Sequence, residues 1–337
     1  MPQETLKIVI PMGGLGSRLR PHTWSKPKQL INVAGKSVLD HVLDTFNTLP
    51  YRENAELVAI VGYLGDQIET HIRENYPNLK SHFVVQDDPL GQSHAIYLAK
   101  EYLTGPMLII FGDTLIETDL SFLQQETADA VAWVKAVPDP RRFGVAEVGP
   151  DGIVHRLVEK PKDLDNNLVL VGCYYFRSAA DLISAIEEQM EQQIQLKGEF
   201  YLADAVNLFL AHGAQMRTQQ VDIWLDTGTP DALLETNTYL LEHGRQNWNE
   251  NLEHPGIGIV PPVFIHPTAQ VRNSVIGPNT SIGANCVVEG SVVRNSILED
   301  GARLIDMNLE NSLIGRKTMI HGRPRVVNAG DHTELSL

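Results

Sequence analysis

The sequence predicts an α/β domain with a mostly parallel mixed sheet, followed by a parallel β-helix. Two observations carry this. Short β-branched runs alternate with helix-like stretches through the first two thirds of the chain, and a strict five- or six-residue aliphatic repeat occupies the last third. The first strands are read at Leu6–Pro11, Leu57–Val61, Ser81–Val85 and Met107–Phe111, with helices at Val38–Asn47, Gln67–Asn75 and Ser93–Leu103 between them. That alternation is the mark of βαβ units. Further strands follow at Ala130–Ala136, Val145–Val148, Ile153–Glu159 and Val169–Arg177. Helices close the domain at Ala179–Gln193, Tyr201–His212 and Thr229–His243, the second of them stopped by Gly213.

The texture changes after residue 245. QNWNENLEHP, residues 246–255, is polar and reads as a linker. Beyond it, aliphatic residues recur at Ile265, Val271, Ile276, Ile282, Val288, Val293, Leu298, Leu304, Leu309, Ile314 and Ile320, punctuated by glycines. One aliphatic per short strand points into a prism-shaped core, and only stacked coils bury a continuous column. The expected boundaries are 1–245 for the α/β domain, 246–255 for the linker, 256–325 for the β-helix and 326–337 for a C-terminal tail.

Composition narrows the function classes. The 337 residues are 43% hydrophobic, enough for packed cores, and carry 42 acidic against 27 basic side chains, a net charge of −15. An acidic balance opposes non-specific nucleic-acid binding, which rests on Lys and Arg neutralising phosphates. Cys173 and Cys286 are too few for a disulfide framework and read as buried thiols in a reducing compartment. No apolar run approaches the roughly 20 residues that cross a bilayer, and MPQETLKIVIP lacks the basic region and cleavage site of a secretory leader, so a cytoplasmic location is expected.

Phosphate chemistry, if present, must use a few local cations. The first strand runs into Gly13-Gly14-Leu15-Gly16-Ser17-Arg18-Leu19-Arg20-Pro21, a turn whose amides can approach phosphate oxygens without obstruction by Cβ. It is not a dinucleotide fingerprint, because Leu19 stands at the third glycine, and Gly35-Lys36-Ser37 is not a Walker A loop, because Leu30 stands at its first. Arg18 and Lys26-Pro27-Lys28 place cations beside that turn, although a lone arginine there is as often a solvated charge. Asp113 follows the apolar run Leu108–Gly112, at the kind of strand end where open α/β sheets place ligands. Asp226 sits between Ile223-Trp224-Leu225 and Thr227-Gly228-Thr229, where a turn or cap is the plainer reading. Two such carboxylates brought together would be a minimal hold on Mg²⁺.

Seven motifs in order, the glycine turn, Pro27-Lys28-Gln29-Leu30, Pro89-Leu90-Gly91, Phe111-Gly112-Asp113, Phe143-Gly144-Val145, Val158-Glu159-Lys160-Pro161 and Trp224-Leu225-Asp226-Thr227-Gly228, resemble the sugar-1-phosphate nucleotidyltransferases. The whole chain is similar to the long glucose-1-phosphate thymidylyltransferase form of that family. The resemblance implies a Rossmann-like nucleotide-diphospho-sugar transferase fold with a left-handed β-helix of hexapeptide repeats. It implies an EC 2.7.7 reaction, in which an NTP and a sugar 1-phosphate give an NDP-sugar and pyrophosphate. Glucose 1-phosphate with dTTP or UTP are the expected substrates.

By the same resemblance, Gly13, Gly14 and Gly16 cradle phosphates, Arg18 holds the triphosphate and Lys28 neutralises charge near the reacting centre. Asp113 and Asp226 bind Mg²⁺. Lys160 grips the sugar phosphate, Glu159 accepts from sugar hydroxyls, and Gly144 and Gly172 line the sugar pocket. Gln86 and Gly91 read a pyrimidine edge. Three departures stand out: Asn32 replaces a usual proline, Thr114 an asparagine, and Gln92-Ser93 a Leu-Ala or Thr-Ala pair. The alternatives are a uridylyltransferase for another hexose 1-phosphate, a non-catalytic sugar-nucleotide-binding relative, and an acyltransferase, which the terminal placement of His266 and His321 disfavours. A homo-oligomer through the β-helix is expected, with no nucleic-acid or membrane partner.

Overall fold

A computed structural model describes residues 5–247 and 256–322. Most of the expected linker and all of the expected 326–337 tail lie outside the described residues. The chain packs as two units, residues 1–31 with 36–233, and residues 32–35 with 234–337.

The first unit is built on a nine-stranded mixed sheet. In chain order the elements before the β-helix run β1 (Lys7–Met12), β2 (Asn32–Val33) and β3 (Lys36–Ser37) flanking a tight turn, α1 (Val38–Asp44), β4 (Glu56–Val61), α2 (Gly65–Asn75), β5 (Ser81–Val85), α3 (Gln92–Leu98) and β6 (Met107–Ile110). Then come β7 (Thr114–Ile116), β8 (Ala130–Ala136), β9 (Gly144–Val148), β10 (Val154–Glu159), β11 (Leu168–Phe176), α4 (Ala179–Glu191), α5 (Leu202–Ala211), β12 (Met216–Gln220), β13 (Trp224–Asp226) and α6 (Pro230–Leu240). The sheet order is β10-β9-β11-β6-β1-β4-β5, with β8 added beside β11 and β12 beside β8.

The strands β6, β1, β4 and β5 pair in parallel, and β1, β4 and β6 are buried along most of their length, as their continuous β-branched runs require. Around β11 the pairing turns antiparallel, to β6, β8 and β9. Helices α4 and α5 bury Leu182, Ile186, Leu202, Val206 and Phe209 in the same core as Phe176 and Tyr174. Both are amphipathic, and Ser178 caps the first by accepting from Asp181 N.

The expected helices at 38–47 and 93–103 are shorter than read. Each ends as α-helix at Asp44 or Leu98, and 3₁₀ turns follow at Thr45–Thr48 and Lys100–Tyr102. The strands β7 and β12 go unread in the sequence, because TLI is only three residues long and MRTQQ is polar, whereas the strand end expected at Asp226 is the end of β13.

An ion cluster fastens the amino ends of β1, β4 and β5. Glu56 accepts from Lys7 Nζ at 2.7 Å, Lys80 Nζ at 2.5 Å and His82 Nε2 at 3.1 Å. Burial works against the charged carboxylate, but these three donors outweigh it and hold the Glu56 pKa down at about 2, against 4.5 for a free glutamate. A depressed carboxylate stabilises the fold fully above the unfolded pKa and stops doing so as pH falls through the folded one. Glu56→Gln should therefore cost about 2–3 kcal/mol near neutral pH, and should flatten the acid limb of stability between pH 4.5 and 2. Urea titrations of both proteins across that window check this.

The second unit is the β-helix. Twelve short strands, β14 to β25 between Ile257 and His321, form three four-stranded parallel sheets, the arrangement of a left-handed β-helix. The aliphatic repeat resolves into three columns. Ile259, Ile276, Val293 and Leu309 stack in one sheet. Ile265, Ile282, Leu298 and Ile314 stack in the second, and Val271, Val288, Leu304 and Ile320 in the third. Cys286 is fully buried among them, while Cys173 is buried in β11. Asn279, Asn295 and Asn311 repeat at one corner with positive φ, a conformation asparagine tolerates better than most residues.

Asn32–Gly35 packs with this unit. Asn32 N donates to Glu299 Oε1 at 2.6 Å, and Ala34 N to Asn237 Oδ1 at 2.9 Å. A proline at position 32 would have no N–H to give, so this bond is open only to a residue other than proline.

Candidate functional site

The carboxyl ends of the parallel strands converge. β1 delivers Gly13, β4 delivers Gly62, β5 delivers Gln86, and β6 delivers Phe111-Gly112-Asp113. Gly62 packs so closely that an added Cβ would lie 2.7 Å from Gly13 O. Gly16 opens the next turn in the left-handed region at φ +61, where a side chain would also press on Thr23 and Lys28. Gly14 is exposed, and a Cβ there would meet no protein atom within 4 Å.

A cavity of about 420 Å³ opens beside these strand ends. Its walls include Arg18, Asp113, Asp226, Gly144, Glu159, Lys160 and Gly172, seven of the residues expected to act. The two aspartates, 113 residues apart in sequence, are joined by one strand pairing. β13 runs antiparallel to β7 with Asp226 opposite Thr114, and Thr227 Oγ1 donates to Asp113 O at 3.0 Å. A Cβ on Gly228 would fall 3.0 Å from Asp226 Oδ1 and 2.9 Å from Arg18 Nη2, which places that guanidinium at the same spot.

Lys28 does not line the cavity but forms an ion pair with Asp113 Oδ2. Burial pushes the Asp113 pKa up, yet the adjacent Lys28 ammonium, with Arg18 behind it, brings it below the usual carboxylate value. Asp113 is thus ionised at neutral pH. Asp113 and Asp226 line one cavity, and two such carboxylates fit Mg²⁺, which takes one or two protein carboxylates and leaves the rest of its shell to substrate and water. Among the described residues no group of three or more His, Cys, Asp or Glu gathers into a fuller metal cage.

The opposite wall is built from the β9–β10 ladder and β11. Gly144 faces Glu159 across the ladder, and a Cβ on Gly144 would sit 3.1 Å from Glu159 Oε2. Gly172 lies in the irregular stretch of β11 between Leu170 and Tyr174, at φ +84. Its carbonyl accepts from Phe111 N at 2.9 Å, so the bulge ties this wall to the strand bearing Asp113. Thr114 Oγ1 donates to Val171 O at 3.0 Å from a buried position, which gives that departure a structural role. Burial, with Asp204 and Glu199 adding to it, raises the Glu159 pKa against the opposing charge of Lys160.

Tyr201 was missed by sequence reasoning. It receives a 2.8 Å hydrogen bond from Lys160 Nζ, which also lies 3.6 Å from Glu159 Oε1. Tyr201 directly precedes α5 as its N-cap residue, without any local motif, and only the contact itself reveals it. Phe143 and Trp224 pack edge to face at 4.9 Å on the cavity wall.

Gly13, Gln86 and Gly91 gather in a second cluster. Gln86 is buried, its Nε2 donates to Gly91 O at 3.1 Å, and its Oε1 lies 2.6 Å from where a Cβ on Gly13 would be.

Such a fold, with phosphate-sized turns, paired carboxylates and cations at the sheet's carboxyl edge, defines a nucleotide-handling α/β transferase. The sequence profile of the nucleotidyl transferase family matches residues 7–243, and the chain belongs to that family, a nucleotidyltransferase of the EC 2.7.7 class. The GMPPB C-terminal domain profile matches residues 259–333. The chain is 31% identical to a glucose-1-phosphate thymidylyltransferase of Streptomyces griseus, covering 98% of this chain and 99% of that one. It is 30% identical to the low-salt glycan biosynthesis nucleotidyltransferase Agl11 of Haloferax volcanii, over 98% and 100%. A crystal structure from Bacillus anthracis, named provisionally as a glucose-1-phosphate thymidylyltransferase, superposes with a TM-score of 0.61 at 24% identity. It covers 73% of this chain and 98% of that one, and speaks to the fold alone.

Proposed function

We propose that the chain joins a pyrimidine nucleoside triphosphate, dTTP or UTP, to a hexose 1-phosphate, glucose 1-phosphate first among them, releasing pyrophosphate. The observation that carries this reading is the single cavity with Asp113, Asp226 and Arg18 on one wall and Glu159 and Lys160 on the other. The thymidylyltransferase among its relatives, matched over nearly its whole length, supports the same substrates.

In this reading Arg18 and the amides of Gly13, Gly14 and Gly16 hold the triphosphate, and Lys28 offsets charge near the α-phosphate. Asp113 and Asp226 would hold Mg²⁺, which supplies charge neutralisation at the reacting phosphate when bound. Lys160 orients the sugar phosphate and Glu159 accepts from sugar hydroxyls, with the backbone of Gly144 and Gly172 shaping the pocket. An oxygen of the sugar phosphate, already anionic, forms a bond to the α-phosphorus in line. The bond from that phosphorus to its β-bridging oxygen breaks, and pyrophosphate leaves with the electron pair. No proton need be abstracted, so placed charge and alignment are the whole of the catalysis.

The β-helix serves assembly of copies of the chain, and a cytoplasmic setting suits both substrates. Among the described residues no helix is long and apolar enough to cross a membrane. Incubation with Mg²⁺, dTTP or UTP and glucose 1-phosphate, followed by chromatography and mass analysis, should yield the NDP-glucose. Absence of an NDP-sugar with every hexose 1-phosphate tried would overturn the proposal.

A further inference from the structure

We propose that His94 is a positioning residue that sets the hydrogen-bond polarity of Gln86, and through it the choice among pyrimidine nucleotides. This rests on the reading above, in which Gln86 and Gly91 meet the base.

Gln86 is only 7% exposed, so its amide cannot rely on water to satisfy it from all sides. Its Nε2 carries two N–H groups. One points to Gly91 O at 3.1 Å and the other to His94 Nδ1 at 3.2 Å. Its Oε1 accepts no hydrogen bond among the described residues and lies over Gly13, where only a missing side chain leaves room. The amide is therefore held with both donors turned inward and its acceptor turned out.

A reversed amide would set Oε1 against the Gly91 carbonyl and the His94 lone pair, two repulsive contacts in place of two bonds. Gly91 O alone can take one proton. His94, on the first turn of α3 and bonding through Nδ1 as the Nε2–H tautomer, takes the other. Without His94 the second N–H is buried unpaired in the present orientation, and the bias against reversal shrinks.

The outward acceptor selects what can bind. Thymine and uracil carry a ring imino N–H that donates to it. Cytosine has a bare N3 at that place, and would set lone pair against lone pair. A site built to pair one hydrogen-bonding group rejects an analogue lacking it far better than a hydrophobic pocket rejects a size change.

The test compares the full-length chain with H94A, H94F and H94N, measuring kcat/KM for UTP, dTTP and CTP with a saturating sugar 1-phosphate. H94F fills the space without an acceptor, whereas the H94N amide oxygen replaces Nδ1. The UTP:CTP ratio should fall about tenfold in H94A and H94F and stay within about twofold of the parent in H94N. Equal losses for all three nucleotides, or an H94N ratio as poor as that of H94F, overturn the role of His94. If H94A does not fold, the H94F and H94N pair decides. A parent protein inactive with every nucleotide overturns the substrate reading and this inference with it, whereas an active parent with unmoved ratios overturns only the inference.

Discussion

Asp113→Asn is expected to lower kcat by about three orders of magnitude, the size of effect seen when a placed charge is removed from a reacting centre. The residue holds a tight position on the turn after β6, bonded through its carbonyl to Thr227 and through its carboxylate to Lys28. The neutral amide fills the same space but gives a divalent cation one poor ligand in place of an anionic one. It also frees Lys28, whose side chain is 17% exposed, from its counter-charge. The cost in stability should be about 1–2 kcal/mol, since the pair is only partly withdrawn from water. Steady-state kinetics over a Mg²⁺ titration and a urea melt separate the two effects. Wild-type turnover in D113N would remove this carboxylate from the proposed metal pair.

Lys160→Ala is the second large expectation. The KM for the sugar 1-phosphate should rise about 10- to 100-fold, matching the 1.5–3 kcal/mol of a charge-assisted hydrogen bond, with the KM for the nucleotide little changed. The structure adds a constraint. Lys160 sits at φ +49, unusual for a residue with a Cβ, and its ammonium is drawn to Tyr201 Oη and Glu159. Both its backbone and its head group are therefore held before substrate arrives. Tyr201→Phe should reproduce a small part of the Lys160→Ala defect. A change confined to nucleotide KM in K160A would contradict the assignment to the sugar side.

What could be seen in the sequence, and what could not, follows from the range of the interactions. The aliphatic spacing of five and six residues in the last third already contains the three stacked columns, because each coil repeats the same short geometry. Likewise the strand ends after β1 and β6 announce themselves by an apolar run stopped at glycine, as at Leu108–Gly112. The pairings within the cleft are of another kind. Lys28 reaches Asp113 across 85 residues and Lys160 reaches Tyr201 across 41, and no periodicity encodes such contacts. Motif order supplied most of the candidate residues by resemblance, yet it could not show that β13 folds back on β7 to bring Asp226 beside Asp113. Nor could it reveal that Asn32–Gly35, between two segments of the first unit, belongs with the β-helix. His94 escaped for the same reason, since its meaning lies in the amide it faces.

The most direct measurement is the initial rate of pyrophosphate release in Mg²⁺ buffer, across five nucleoside triphosphates and a panel of sugar 1-phosphates, with each substrate also supplied alone. Release is expected only when both are present, fastest with dTTP or UTP and a hexose 1-phosphate, and absent without metal. No release from any combination, or release from a triphosphate alone at the same rate, would contradict nucleotidyl transfer to a sugar phosphate in this cleft.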